Sequence, residues 1–304
     1  MPTLTCEISE SLMRALAERS ARTGEPLAHI VMSALADALE IDHATLFQIS
    51  TSTALVKGVY SGVVTVGQLK QHGDFGLGTF DGLDGEMLAL DGHFYQIRGS
   101  REVTEPGDDA RVPFAVVTAF RAERESTIDH VESFDALAAH LDGMRRTANL
   151  FCAVRIEGRF ARLRARAVCK AAPGVSLVDA TSRQAEFAFT DVRGTLVGFW
   201  TPSYARSINI AGWHLHFVTA DRRSGGHLLD CEGMSLHAQM QDLADVRIAM
   251  PETAAFLQAD LSQDPSRDLD VAERGGRRTA PAGRHNESAR VSNPDKRPEK
   301  GEQS

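Results

Sequence analysis

The chain has 304 residues, a formal net charge of −8 and an apolar fraction of 42%. That length suits one large or two ordinary domains with a sizeable core, and the negative balance argues against broad binding to nucleic acid or to anionic membranes. No apolar run is long enough to span a bilayer, and the opening MPTLTCEISESLMRAL lacks the basic-then-apolar order of a secretion signal, while four scattered cysteines (Cys6, Cys152, Cys169, Cys231) fit a reducing cytoplasm and exclude a thiolate zinc finger.

In chain order, residues 3–8 alternate like a short strand. Residues 9–23 read as a helix, with Leu12, Ala15 and Leu16 on one face and Gly24 as its stop. Glu25 and Pro26 open a second helix carrying Ile30, Ala34, Leu35 and Leu39. Strand, helix, glycine turn and helix within residues 1–42 resemble a ribbon-helix-helix module. Neither face of its strand (Thr3, Thr5, Glu7 or Leu4, Cys6, Ile8) carries Lys or Arg, and acids outnumber bases across the segment. An acidic module is a poor phosphate binder, so association is its expected role and nucleic acid is not its expected partner.

Residues 44–273 read as the globular body. Strands are expected at residues 47–49, 63–66, 86–90, 94–97, 114–117, 151–156 and 195–199, many of them separated by glycine-rich turns. One clear helix is expected at 133–144, and 104–111 reads as a polar loop. Many strands and few helices place the body in the α+β class, a mixed sheet in two sub-domains, with the small helical module in front. Residues 274–304 are almost wholly polar and are expected to form a disordered tail.

The run GWHLHFVTADRRSGGHLLD (residues 212–230) carries the chemistry. In an extended strand, His214 and His216 point the same way and Leu215 points to the other face. A polar turn with Gly225 and Gly226 follows, and a hairpin there would set His227 beside the pair. Three neutral imidazoles with an open position are the donor set of a catalytic zinc site. An HxH pair alone fits a solvated strand face equally well; the third histidine is what points to metal.

Several stretches together resemble the acetolactate decarboxylase family: LFQISTSTALVKGVYSG, HGDFGLGTFDGLDGEM, FYQIRG, PFAVVT, NLFCAVRIEGRF, RGTLVGFWTP and the histidine block. They run in order over residues 44–273. The resemblance implies zinc ligands His214, His216 and His227, with Glu86 from the LDGE motif and Thr79 from GLGT. It implies Arg166 in FARLRARAV, where Arg162 and Arg164 share its strand parity and only the motif selects among them. The family's carboxy-terminal glutamate corresponds to Glu273 in RDLDVAERGG, with Glu252 the competing match.

The implied activity is conversion of (S)-2-acetolactate to (R)-acetoin through a metal-stabilised enediolate, in the cytoplasm, by a homodimer that needs Zn2+ and no organic cofactor. Arg166 suits the substrate carboxylate because its planar fork matches two oxygens. Glu86, Glu273 or a water between them is suited to return the proton. The site is expected between the N-terminal and C-terminal halves of the body. Two other readings stay open on the residues alone. One is a different three-histidine metalloenzyme, a hydrolase or an oxygenase; the other is a DNA-binding metabolite sensor.

Overall fold

The computed structural model describes residues 5–38 and 44–274. It begins with two helices, α1 (Glu10–Thr23) and α2 (Leu27–Ala38). Ser9 caps α1 by accepting from the Leu12 amide, and Gly24 stops it with a φ of 76°, a backbone conformation that side chains disfavour. The helices thus form as their capping residues dictate. Residues 5–8 form no strand in the single chain. Thr3, Leu4, Leu39 and the expected tail at 275–304 lie outside the described residues.

The body opens with β1 (Thr45–Ile49), α3 (Ser52–Val56), β2 (Val64–Thr65), α4 (Val66–Leu69), β3 (Phe75–Thr79), β4 (Glu86–Leu90), β5 (His93–Ile97), β6 (Val103–Thr104), β7 (Arg111–Val112) and β8 (Phe114–Thr118). It continues with β9 (Arg124–Val131), α5 (Phe134–Met144), β10 (Phe151–Ala167), α6 (Leu177–Thr181), β11 (Ala185–Thr201), β12 (Gly212–Thr219), β13 (Gly225–Leu243), β14 (Asp245–Ala249), α7 (Ala254–Gln258) and α8 (Ser266–Arg274).

One sheet of seven strands has the order β14-β1-β8-β3-β4-β5-β6, all antiparallel except the β1–β14 pair. A second runs β10-β11-β12-β13-β9, and its β10 also pairs with β13, which closes four strands into a ring. The α+β class holds. The first sheet takes its strands from residues 45–118 and the second from residues 124–243, but β14 returns after the second to pair with β1 of the first.

A shared core lies between the sheets, where Phe75, Leu77, Leu88, Ile97 and Phe114 of the first meet Phe151, Val197, Phe199 and Val218 of the second. A second cluster fills the ring and is covered by Leu137 and Leu141 of α5. Burial of this apolar surface is the main force holding the sheets together.

Local chemistry explains where the expected elements shift. The strand expected at 63–66 is cut short after Thr65, because Thr65 and Gln68 form a capping box that starts α4. The strands expected at 151–156 and 195–199 lie inside β10 and β11, both 17 residues long. Their outer halves extend the strands beyond the expected bounds and pair with each other from Arg159–Arg193 to Ala167–Ala185. No helix among the described residues is long and apolar enough to cross a membrane.

Candidate active site

Two strands bring the histidines together. His214 and His216 project from one face of β12, and the register pairs His216 directly with His227 of β13. Gly226, beside His227, has a φ of 147°, and a Cβ there would lie 2.4 Å from the Arg166 carbonyl oxygen. Only glycine allows that approach, which sets β13 against the end of β10 and pairs Arg166 with His227.

The imidazole nitrogens converge. His214 Nε2 lies 3.2 Å from His216 Nε2 and 3.1 Å from His227 Nδ1. Two of the outward nitrogens are anchored: His216 Nδ1 donates to the Met87 carbonyl at 2.8 Å, and His227 Nε2 donates to the Glu273 carbonyl at 2.9 Å, while the buried His214 Nδ1 has no partner. Each anchor fixes a neutral tautomer whose lone pair faces the other rings. Burial pushes all three pKa values below the ordinary histidine value, that of His216 to about 3. Converging lone pairs repel unless an electrophile sits among them.

Three nitrogens about 2.05 Å from one tetrahedral centre stand about 3.3 Å apart. The two separations from His214 are close to that, and all three nitrogens lie within 4.8 Å of one another, so these residues fit a metal ion. They are the group of ligating side chains found close enough to hold one among the described residues.

Beside the histidines stands a buried ionic triad. Arg166, 2% exposed, donates from Nη1 to Glu86 Oε1 and from Nη2 to Glu273 Oε2, each at 3.0 Å. Glu86 also accepts from the Val168 amide at 3.1 Å. Its other oxygen lies 3.6 Å from His216 Nε2, and Glu273 Oε2 lies 3.4 Å from His227 Nδ1. Burial raises the Glu86 pKa to about 7, with Arg166 opposing the rise and Glu273 adding to it. Burial likewise raises Glu273, again opposed by Arg166. Two carboxyls next to one guanidinium therefore hold protons more readily than surface acids do.

Each proposed residue has a definite place. Glu86 opens β4 and pairs across the sheet with Thr79, the last residue of β3. Thr79 is buried and its hydroxyl donates to the Gly85 carbonyl at 2.8 Å. Arg166 is separated from its neighbours by an irregularity in the β10–β13 register after Arg164. The side chains of Arg162 and Arg164 are 79% and 56% exposed and paired with Glu232 and Glu186, whereas Arg166 turns inward. Glu273 arrives on α8, whose Leu269 and Ala272 are buried. Glu252 is exposed in the segment before α7, so the structure brings Glu273 and not Glu252 to the histidines.

The triad and two of the histidines line a cavity of about 30 Å³, the space open to a water centre. Thr79, Glu86, Arg166, His214, His216 and Glu273 supply its polar lining. Leu55, Leu83, Phe114, Val168, Leu177 and Ile210 supply the apolar part. Neither the carbonyl anchors nor this apolar wall could be found from sequence, because backbone acceptors carry no side-chain signal and core leucines look alike.

The family profile for alpha-acetolactate decarboxylase matches residues 46–263. The chain is 42% identical over 230 residues to the alpha-acetolactate decarboxylase of Methanosarcina mazei, covering 75% of this chain and 80% of that one. It is 40% identical over 232 residues to that of Raoultella terrigena, covering 76% and 88%. The crystal structure of the Bacillus subtilis strain 168 alpha-acetolactate decarboxylase superposes with a TM-score of 0.73 at 35% identity, covering 75% of this chain and 99% of that one. The profile match stops short of Glu273, whose place in the site is therefore carried by geometry.

Proposed function

The chain belongs to the alpha-acetolactate decarboxylase family, and from that premise we propose that it is a zinc-dependent decarboxylase converting 2-acetolactate to acetoin, the S substrate to the R product. The observation that carries this reading is the convergence of three neutral histidines beside an arginine clasped by two carboxyls. Bound by His214, His216 and His227, zinc would supply a Lewis acid for the charge that decarboxylation shifts onto the substrate's oxygens.

The protein's own groups do the rest. Arg166 orients the substrate carboxylate with its planar fork. The bond from the carbinol carbon to the carboxylate breaks, carbon dioxide leaves, and the electron pair passes toward the ketone. One proton must then reach the carbinol carbon from a single face. Glu86, with a pKa near 7, is part protonated at neutral pH and is suited to deliver it; Glu273 holds the opposite arm of Arg166. Thr79 supports the Gly85 turn that leads into Glu86. Buried apolar side chains exclude bulk water, so the proton comes from a positioned group.

Zinc-loaded protein incubated with racemic 2-acetolactate is expected to release carbon dioxide and acetoin in equal amounts, without oxygen consumption, and to retain about one zinc per chain. No acetoin from folded, zinc-bound protein would sink the proposal.

We further propose a cytoplasmic homodimer in which residues 1–42 serve association rather than catalysis. Helix α1 buries no side chain, and Leu12, Met13, Leu27, Val31, Met32 and Leu35 remain exposed on the two helices. Two short helices with so little core need a partner surface. Glu10 at one end of α1 and Arg22 at the other complement each other when two copies run antiparallel. Removing residues 1–43 is expected to leave kcat/KM within about twofold of the full chain while raising the dimer dissociation constant at least about tenfold. Sedimentation equilibrium measures the second quantity, and an unchanged constant would refute the association role.

A further inference from the structure

The cavity lining divides into two chemistries, and the proposed reaction uses only one of them. The substrate's carboxylate and two oxygens account for the polar groups. What remains of the molecule is two alkyl groups, one on the carbinol carbon and one on the ketone. They must face the apolar lining, because any polar partner would be left unsatisfied against them. The side chains of that lining are all buried and closely packed, and a close-packed wall has little slack for extra volume. One added methylene is therefore felt.

The apolar residues are not equivalent. Phe114 lies within β8, Leu83 has a φ of 57° in the turn before β4, and Val168 donates its amide to Glu86. Leu55 sits in α3, every residue of which is buried. These four belong to the frame. Leu177 opens the short helix α6, capped by Ser176, and Ile210 lies in the segment between β11 and β12. Neither is in a strand, and both are closely buried, at 3% and 8% exposure. Helix α6 packs on α8, the element that carries Glu273, so this part of the wall adjoins one carboxyl of the site.

We propose that Leu177 and Ile210 set the largest alkyl group that the site accepts on the carbinol carbon of a 2-alkyl-2-hydroxy-3-keto acid. The inference rests on the decarboxylase reading and adds the residues that fix its substrate range. Discrimination against one methylene in an apolar pocket is worth about 10- to 200-fold in kcat/KM. The native chain therefore favours the 2-methyl substrate over its 2-ethyl homologue, and a larger pocket removes the preference.

The test compares carbon dioxide release from the 2-methyl and 2-ethyl acids by zinc-loaded native protein, Leu177→Ala, Ile210→Val and the volume-conserving Leu177→Met. The ethyl-to-methyl ratio of kcat/KM is expected to rise at least about tenfold in Leu177→Ala, to rise less in Ile210→Val, and to stay near native in Leu177→Met. A purely structural role would lower both substrates together and leave the ratio alone. If Leu177→Ala does not fold, the Ile210→Val ratio decides. Ratios within about twofold of native in every folded variant overturn the assignment. A native protein that acts on neither acid overturns instead the decarboxylase reading on which it rests.

Discussion

Replacing His216 with Ala is expected to abolish zinc retention and to lower acetoin formation by at least about 10³-fold, because the Lewis acid stabilises the reaction's charge by several kcal/mol. His216 Nε2 is one of three nitrogens facing a common centre, and its Nδ1 is anchored on Met87 in the other sheet. Truncation removes both at once. The two donors left, His214 and His227, cannot close a three-nitrogen site.

His237→Ala is the control. That residue lies on β13, the strand of His227, with its side chain 43% exposed and facing Glu125. Its loss should change neither zinc content nor rate. Metal analysis after dialysis, beside acetoin assay and a thermal melt, separates the outcomes. Zinc at native stoichiometry in His216→Ala would show that the metal sits elsewhere. Lost zinc with an unchanged rate would show that the chemistry does not need it.

How much of this site was legible beforehand depends on the kind of residue. The histidines could be read because strand alternation and a glycine turn are local rules, and β12 and β13 follow them. Arg166 could not be chosen by alternation, since Arg162 and Arg164 obey the same parity. The register irregularity after Arg164 that turns the strand end inward depends on β13, about 60 residues away. Glu273 was harder still. Its carboxyl reaches Arg166 only because Leu269 and Ala272 dock α8 on the body, a tertiary outcome with no local signature.

The fold shows the same division. Elements with their own caps, such as α1 and α5, fall where the sequence places them. The charged outer halves of β10 and β11 lie beyond the strands expected at 151–156 and 195–199, because their arginines and acids find their partners only on the neighbouring strand. Edge strand β14 owes its existence to β1, about 200 residues earlier.

Arg166→Ala is expected to destabilise the metal-free protein by about 3–5 kcal/mol at pH 8, the cost of leaving buried charge without its partner. The penalty should shrink toward pH 5. The sign follows from the carboxyls. Burial raises the folded pKa of Glu86 from 4.5 to about 7 and raises that of Glu273 as well, while Arg166 opposes both rises. A carboxyl whose folded value is raised contributes stability below its unfolded value, and that stability is lost as pH climbs through the folded value. Without Arg166 both values climb further and more stability is lost above neutrality. At pH 5 Glu86 is protonated and the arginine has less charge to offset. The histidines move the other way, since their depressed values cost stability as pH falls below 6.5. Arg166 is one cause of that depression in all three, so its removal relieves part of the cost at pH 5 and narrows the difference between the two proteins further. Urea unfolding of both metal-free proteins at pH 5 and pH 8 supplies that difference. A gap that is equal at the two values would mean that the triad's energy is packing around the guanidinium rather than charge. Arg166→Lys keeps the cation but not the fork, so it should recover most of the stability at pH 8. It should still turn over about 10²-fold more slowly, because a single ammonium cannot hold Glu86, Glu273 and a substrate carboxylate in one plane.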